Sequence, residues 1–398
     1  MSPERFLLTV SGRDRPGLAG ELFTSLVPVC GSITDVGQIT IRGHLVLCIE
    51  VEPCEGVGLE QIAAAVTASG IRADGTVTVE IAPSTERTAP SGRRIFVTLV
   101  APAIDSGTLS AVFSAIADCG GDVERIVRLA DYPVQSYELL VRGPDPDQLR
   151  AALGLVAVDQ SLDVAVQRAG LHRRAKRLIV MDVDSTLLQG EVIDQLAAKL
   201  GVEEKVAAIT EAAMAGELDF AEALTERVAL LAGLPETELL ALSGELVLMP
   251  GARTLLRTLQ RLGYQTAVVS GGFLQVIRPL VEELGIDFAA ANELEVVDGV
   301  LTGRVLGEIV DRAGKADALR AFAAEVGVPL AQTVAVGDGA NDIDMLSAAG
   351  LGIAFNARPV VRQAADTALS VPFLDAVLFL LGISREEIEA ADAGPDEA

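Results

Sequence analysis

The first 170 residues repeat themselves at an offset of 90: Phe6 answers to Phe96, Gly17 to Gly107, Phe23 to Phe113, Gly31 to Gly121 and Val51 to Val141. Each copy opens on a strand-like run, FLLTV or FVTLV, followed by a helical pattern and two alternating segments. A second helical stretch and a last strand, TVTVEIA or LDVAVQR, complete it. The order β-α-β-β-α-β is that of the ferredoxin-like sandwich, and a repeat this long is a duplicated domain rather than a solenoid unit. With 398 residues in all, the chain has room for one larger domain behind the pair.

From Arg177 onward the pattern changes. Apolar runs RLIVMD, YQTAVVS and TVAVGD alternate with helical stretches, which predicts a parallel sheet in an α/β domain. Between the first two lies a helix-rich insert over about 188–246, too long for a simple crossover and read as a cap over the carboxyl edge of the sheet. The expected boundaries are 1–85 and 86–172 for the two sandwiches, 173–384 for the α/β domain, and 385–398 for a frayed acidic tail. The basic stretch LHRRAKR before the first rear strand reads as a solvated linker or a patch facing another domain.

The formal net charge of −25 speaks against a nucleic-acid face or an anionic membrane surface. No apolar run reaches the length of a membrane span, and the start MSPERFLLTV lacks a signal-type core, so a cytoplasmic location is expected. Cys30, Cys48, Cys54 and Cys119 show no C-x-x-C spacing and read as small buried hydrophobes. His44 and His172 are the only two histidines. Chemistry in the rear domain must therefore rest on carboxylates, hydroxyls, Lys, Arg and a hard metal.

Four features of the rear domain carry such chemistry. DVDST, Asp182 to Thr186, follows an apolar strand, where ligands of open α/β sheets bind; two carboxylates two residues apart suit a nucleophile and an acid–base partner beside a cation. Ser270, with Gly271 and Gly272, ends the next strand and offers a hydroxyl and backbone N–H groups to phosphate oxygens. Lys315 starts a helical pattern. GDGANDIDM supplies Asp338, Asn341 and Asp342, hard-oxygen donors suited to Mg²⁺. Each alone has an ordinary explanation as a turn or a surface group; their joint order at strand ends does not.

Over about 178–381 this constellation resembles the haloacid dehalogenase superfamily, which implies a Rossmann-like core with a helical cap. DVDSTLLQGEVIDQLA, VVSGGF and GDGANDIDML look specifically like the phosphoserine phosphatases. SGRDRPGLAGEL, Ser11 to Leu22, resembles the ACT domain, an amino-acid-binding regulatory module; copy two reads APAIDSGTL and departs from that signature. Together these resemble the long, mycobacterial-type form with two ACT domains.

The resemblance implies hydrolysis of O-phospho-L-serine to L-serine and phosphate, the last step of serine biosynthesis. Asp182 would be the nucleophile and Asp184 the general acid and base. Mg²⁺ would be held by Asp182, Asp338 and the Asp184 backbone carbonyl. Ser270, Gly271, Lys315 and Asn341 would bind phosphate, with Asp342 supporting from behind. Glu191 would meet the substrate ammonium and Arg227 its carboxylate; the plain alternative for Arg227 is a helix-surface ion pair with Glu222. L-Serine or another amino acid would act as effector near Gly17 or Gly107, and a homodimer is expected. The alternatives are a phosphatase for phosphothreonine or phosphohomoserine, a non-catalytic amino-acid sensor, and, for the front half, sandwiches that serve only to dimerise.

Overall fold

In the computed structural model the strand alternation of the first copy resolves into one buried and one open face. The structure describes residues 4–71, 75–84, 92–170, 173, 175–214 and 218–393, and the chain divides into two compact units, 1–90 and 91–398. In the first unit, β1 (Phe6–Arg13), β2 (Cys30–Ile41), β3 (His44–Pro53) and β4 (Val77–Pro83) form an antiparallel sheet of order β2-β3-β1-β4. Phe6, Leu8 and Val10 from β1 and Leu45, Leu47, Ile49 and Val51 from β3 point to one side. There they are covered by Leu18, Leu22 and Leu26 of α1 (Leu18–Leu26) and by Ile62 and Val66 of α2 (Leu59–Ala68). Period-two strands meeting period-3.6 helices build this core, each buried side chain contributing roughly 1.5–3 kcal/mol.

The second unit begins with the other sandwich: β5 (Arg94–Ala101), α3 (Ser106–Asp118), β6 (Asp122–Ala130), β7 (Gln135–Arg142), α4 (Pro146–Asp159) and β8 (Asp163–Arg168), with sheet order β6-β7-β5-β8. Here the register of the repeat needs correction. Phe6 pairs opposite Val51, whereas the residue opposite Val141 is Ile95, not Phe96. Ile95, Val97 and Leu99 fill the helix-side core, while Phe96 lies on the other face, under the guanidinium of Arg173. A one-residue slip exchanges the two faces of a strand, so residue matching by identity alone misplaces Phe96.

That second face is not open. Val100, Leu129, Ala130, Val134 and Ala165 share a hydrophobic cluster with Val371, Leu374 and Val377 to Leu380 from the end of the rear domain. Gln167 donates to the Leu380 carbonyl at 2.8 Å, and Thr367 donates to that of Val164 at 3.1 Å. Within LHRRAKR, Arg173 faces the second sandwich, buried in an ion pair with Glu138 of β7, and Lys176 is buried in the rear domain with its ammonium donating to the carbonyls of Ala331 and Thr333. His172 and Arg174 lie outside the described residues.

Burial lowers the Lys176 pKa to about 8, against a weaker opposing pull from Asp366. The unfolded chain holds that proton to about pH 10.4, so between the two values it binds more protons than the folded chain, and stability rises with pH. Relative to Lys176→Met, the wild type is expected to gain roughly 1–2 kcal/mol from pH 8 to pH 10, allowing for partial solvent screening. Urea unfolding at each pH measures it, and a pH-independent difference contradicts it.

The rear sheet runs β12-β11-β10-β9-β13-β14-β15. Its strands are β9 (Leu178–Asp182), β10 (Gln265–Phe273), β11 (Phe288–Val297), β12 (Val300–Leu306), β13 (Thr333–Gly337), β14 (Gly352–Phe355) and β15 (Thr367–Leu369). All neighbouring pairs are parallel except β11–β12, so the expected parallel sheet is a mixed one. The hairpin turns at Asp298 and Gly299, both with positive φ, a D-G signal already visible in VVDGV. β9 is buried along its whole length, which is why LIVM is a continuous apolar run rather than an alternating one.

After β9, a wide turn leads into α5 (Val192–Leu200), α6 (Glu203–Met214), α7 (Phe220–Ala229) and α8 (Glu236–Leu242), the helices of the insert. α9 (Ala252–Arg261) returns the chain to β10; α10 (Leu274–Leu284), α11 (Arg312–Val326), α12 (Ile343–Ala348) and α13 (Pro359–Ala364) flank the sheet, and α14 (Val377–Leu380) closes against it. The tail is corrected over its first part: α15 (Arg385–Ala393) is helical, with Ile388 buried and Asp392 paired to Arg257 and Arg261. One apolar anchor and complementary charges hold it. Residues 394–398 lie outside the described set. Among the described residues, no helix is long and apolar enough to cross a membrane.

Candidate active site

Strand pairing alone brings the motifs together. Asp182 lies opposite Val269 in β10, so the Ser-Gly-Gly segment continues past the tip of β9, and β13 on the other side delivers Asp338 just beyond Gly337. After Asp182 the backbone makes a wide turn over Val183–Leu187, with Ser185 at φ 58°. The turn is closed by the Leu188 N–H to the Val183 carbonyl and by the Ser185 N–H to the Gly190 carbonyl. It keeps Asp182 and Asp184 close enough for their charges to interact.

Lys315, fully buried in the first turn of α11, donates to Asp182 Oδ1 at 2.6 Å and to Asp342 Oδ1 at 2.7 Å. Single oxygens of Asp182, Asp338 and Asp342 lie within 4.8 Å of one another. Asp342 therefore stands in the cluster itself. Asp342 Oδ2 accepts the Gly339 N–H at 2.9 Å. A Cβ on Gly337 would come within 2.4 Å of that same oxygen, so only glycine lets the strand end pass so close. Thr186, unassigned by sequence although it completes DVDST, donates to Asp338 Oδ1 at 3.0 Å.

Asp184 turns away from this cluster. Its Oδ1 accepts the Val192 N–H at 2.8 Å and its Oδ2 the Ser270 hydroxyl at 3.0 Å. Ser270 in turn accepts the Gly272 N–H at 2.7 Å. A Cβ on Gly272 would sit 2.9 Å from Ser270 Oγ and 3.0 Å from Asp184 Oδ2. Ser270 does not end its strand: β10 runs on through Gly271 and Gly272 to Phe273, its pairing with β11 shifting register between Val269 and Phe273, and α10 begins at Leu274.

The electrostatics follow from four carboxylates meeting one ammonium. Among the described residues, Lys315 is the only cation hydrogen-bonded or ion-paired to Asp182, Asp184, Asp338 or Asp342. Burial, and then the charge of Asp342, push the Asp182 carboxyl well up. Burial also raises Asp184 and, with Asp342, carries Asp338 to about 6. For Lys315, burial pulls downward, but Asp182 and Asp342 outweigh it and hold the ammonium charged. Excess buried negative charge of this kind calls for a cation, and the hard carboxylate oxygens of Asp182, Asp338 and Asp342 are a group that could hold a metal ion.

The cap residues flank the same pocket. Glu191 sits at the N-terminus of α5. Partial burial raises its pKa, with Asp184, Asp338 and Asp194 adding and Arg227 opposing. Arg227 on α7 does not pair with Glu222, which instead closes a capping box with Asp219. Its guanidinium donates to the Ala223 carbonyl and, at 3.4 Å, to Thr210, and its charge faces Glu191, Asp194 and Asp184. Asn341 lies in the short turn between β13 and α12. In the first unit Gly17 holds a left-handed backbone, φ 88°, before α1, whereas Gly107 lies inside the first turn of α3 behind the capping residue Asp105. The four cysteines are unpaired and half-buried.

Residues 179–347 match the haloacid dehalogenase-like hydrolase family, and residues 4–79 and 95–167 each match an ACT domain. The phosphoserine phosphatase of Streptomyces coelicolor is 53% identical over 393 residues, covering 98% of this chain and 95% of that protein. The chain belongs to the phosphoserine phosphatase family. The family's phosphoserine phosphatase SerB2 from Mycobacterium tuberculosis is likewise 53% identical, over 400 residues, with 98% of this chain and 95% of that protein covered. The solved structure of a probable phosphoserine phosphatase from Vibrio cholerae, in unliganded form, is 34% identical, with a TM-score of 0.58 over 75% of this chain and 89% of that one. The phosphoserine phosphatase family thus accounts for both ACT repeats and the hydrolase domain in one chain.

Proposed function

We propose that this enzyme hydrolyses O-phospho-L-serine to L-serine and phosphate through an aspartyl-phosphate on Asp182, closing serine biosynthesis. The observation that carries the reading is the grip of Lys315 on Asp182 inside the carboxylate cluster at the tip of β9. A carboxylate oxygen of Asp182 attacks phosphorus as the bond to the serine oxygen breaks, and Asp184 delivers its proton to that departing oxygen. The elevated pKa of buried Asp184 suits the protonated form needed for this. Asp184 then takes a proton from water, whose oxygen attacks phosphorus and releases phosphate from Asp182.

Lys315 neutralises nucleophile and phosphate together, and Ser270, Gly271 and Asn341 are proposed phosphate contacts. Asp182 and Asp338, with the Asp184 backbone carbonyl, would hold Mg²⁺, Asp342 standing against them in the grip of Lys315. When bound, Mg²⁺ offsets the repulsion between a dianionic phosphomonoester and a carboxylate.

Substrate choice rests on Glu191 for the ammonium and Arg227 for the carboxylate, a guanidinium bonded to the Ala223 carbonyl and Thr210 rather than to Glu222. Arg227→Ala is expected to raise KM for phosphoserine about 30-fold or more while changing p-nitrophenyl phosphate hydrolysis less than about threefold. Phosphate release from phosphoserine, phosphothreonine, phosphohomoserine and p-nitrophenyl phosphate, for both proteins, measures it. Equal effects on all four substrates contradict the carboxylate contact, and faster wild-type turnover of another phosphoamino acid would displace phosphoserine.

The ACT domains supply the natural place for L-serine or another amino acid as effector, with Gly17 and Gly107 as the proposed marks of that site. A homodimer is supported by β2, a long edge strand that leaves Ile33, Val36, Ile39 and Ile41 exposed. A cytoplasmic location is supported by four cysteines that form no disulfide.

A further inference from the structure

Asn292, on β11, is 1% exposed and belongs to none of the four motifs. Both ends of its amide are committed. Nδ2 donates to the Gly271 carbonyl at 2.9 Å, and Oδ1 accepts the Val310 N–H at 2.8 Å. The backbone partners fix the orientation of the amide, because a carbonyl can only accept and an N–H can only donate. Val310 immediately precedes Asp311, whose side chain caps α11 through the Gly314 N–H at 2.8 Å, and that helix carries Lys315.

Holding the Gly271 carbonyl fixes the peptide plane between Gly271 and Gly272. The N–H of that peptide is the one that reaches Ser270 Oγ at 2.7 Å, and Ser270 donates onward to Asp184 Oδ2 at 3.0 Å. A continuous line of hydrogen bonds therefore runs from the start of the Lys315 helix, through Asn292 and the Ser-Gly-Gly segment, to the proton-transferring carboxyl. The segment needs such a brace. The pairing of β10 with β11 is interrupted between Val269 and Phe273, and its glycines lack side chains to restrict it.

We propose that Asn292 is a positioning residue for proton transfer: it sets the Gly271–Gly272 peptide so that Ser270 orients Asp184 toward the leaving oxygen. This rests on Asp184 being the general acid and base, and the test separates the two. Serine leaves as a poor leaving group that requires its proton, whereas p-nitrophenolate leaves without one. In kcat/KM, which ends at departure of the leaving group and so precedes the aspartyl-phosphate hydrolysis where Asp184 serves both substrates as base, a misaimed acid therefore penalises the first substrate selectively.

Asn292→Ala removes both contacts. Asn292→Asp keeps the shape and the acceptor for Val310 but loses the donor to Gly271. In the full-length protein with Mg²⁺, both variants are expected to lower kcat/KM for phosphoserine by roughly 10- to 100-fold. The loss for p-nitrophenyl phosphate should stay below about threefold, which also certifies a folded, metal-loaded site. Combined with Ser270→Ala, Asn292→Ala should add little further selective loss, since both act along one line. Equal losses on the two substrates, a lowered Tm with both rates unchanged, or full additivity with Ser270→Ala would each overturn the assignment. If Asp184→Asn itself shows no preference between the substrates, the acid assignment falls instead, and the proposal falls with it.

Discussion

Asp182→Asn is expected to lower turnover of phosphoserine by about 10⁴-fold or more and to abolish the covalent intermediate. Asparagine keeps the shape of the residue and an acceptor for Lys315, so the fold should survive. The substitution removes one negative charge from a pocket in which four carboxylates face a single ammonium, where burial pushes the Asp182, Asp184 and Asp338 carboxyls upward and the charge of Asp342 adds to it at Asp182 and Asp338. Without Mg²⁺, the Tm of the variant should therefore equal or exceed that of the wild type. Residual activity above about 1% in a preparation free of wild-type enzyme would remove Asp182 from the nucleophile's role.

Lys315→Met is expected to act twice, once on rate and once on stability. Losing the ammonium at the site of transferred charge should reduce kcat by roughly 10³-fold. It also strands Asp182 and Asp342, both buried and both bonded to Lys315, which should destabilise the fold by about 3–5 kcal/mol. The sign of the pH dependence follows. Carboxyls whose folded-state pKa is raised above the unfolded value favour the folded state when protonated. The destabilisation should therefore shrink as pH falls from neutrality and persist as pH rises. Adding Asp342→Asn should recover part of the stability and none of the rate. A destabilisation that does not change with pH, measured by urea unfolding between about pH 5 and 8, would contradict this account of the pocket.

What the sequence disclosed and what it withheld divide along physical lines. Asp182, Ser270 and Asp338 were legible because each stands just past an apolar run, and in a parallel sheet strand ends converge on one edge whatever the helices do. Lys315 was legible by its place at a helix start. The register of the repeat was not: Phe6 and Phe96 look equivalent, yet only pairing partners reveal that Ile95 takes the place of Phe6.

The burial of Arg173 and Lys176 was hidden because basic residues in a polar stretch ordinarily face water, and nothing local announces Glu138 or the Ala331 carbonyl as partners. The helix over 385–393 was hidden by its acidity, and only Ile388 hinted at an anchor. Asn292 left no signal at all. A lone Asn in AAANELEV is indistinguishable from a loop residue until two distant backbone groups close on its amide.

The central claim is that phosphorus is bonded for a moment to one particular carboxylate. Rapid acid quench of the enzyme turning over phosphoserine, borohydride reduction of the acyl-phosphate and peptide mass spectrometry locate that carboxylate. The expected result is homoserine at position 182 and unmodified Asp at 184, 338 and 342. Reduction at any of those three, or none while phosphate is still released, would contradict the mechanism.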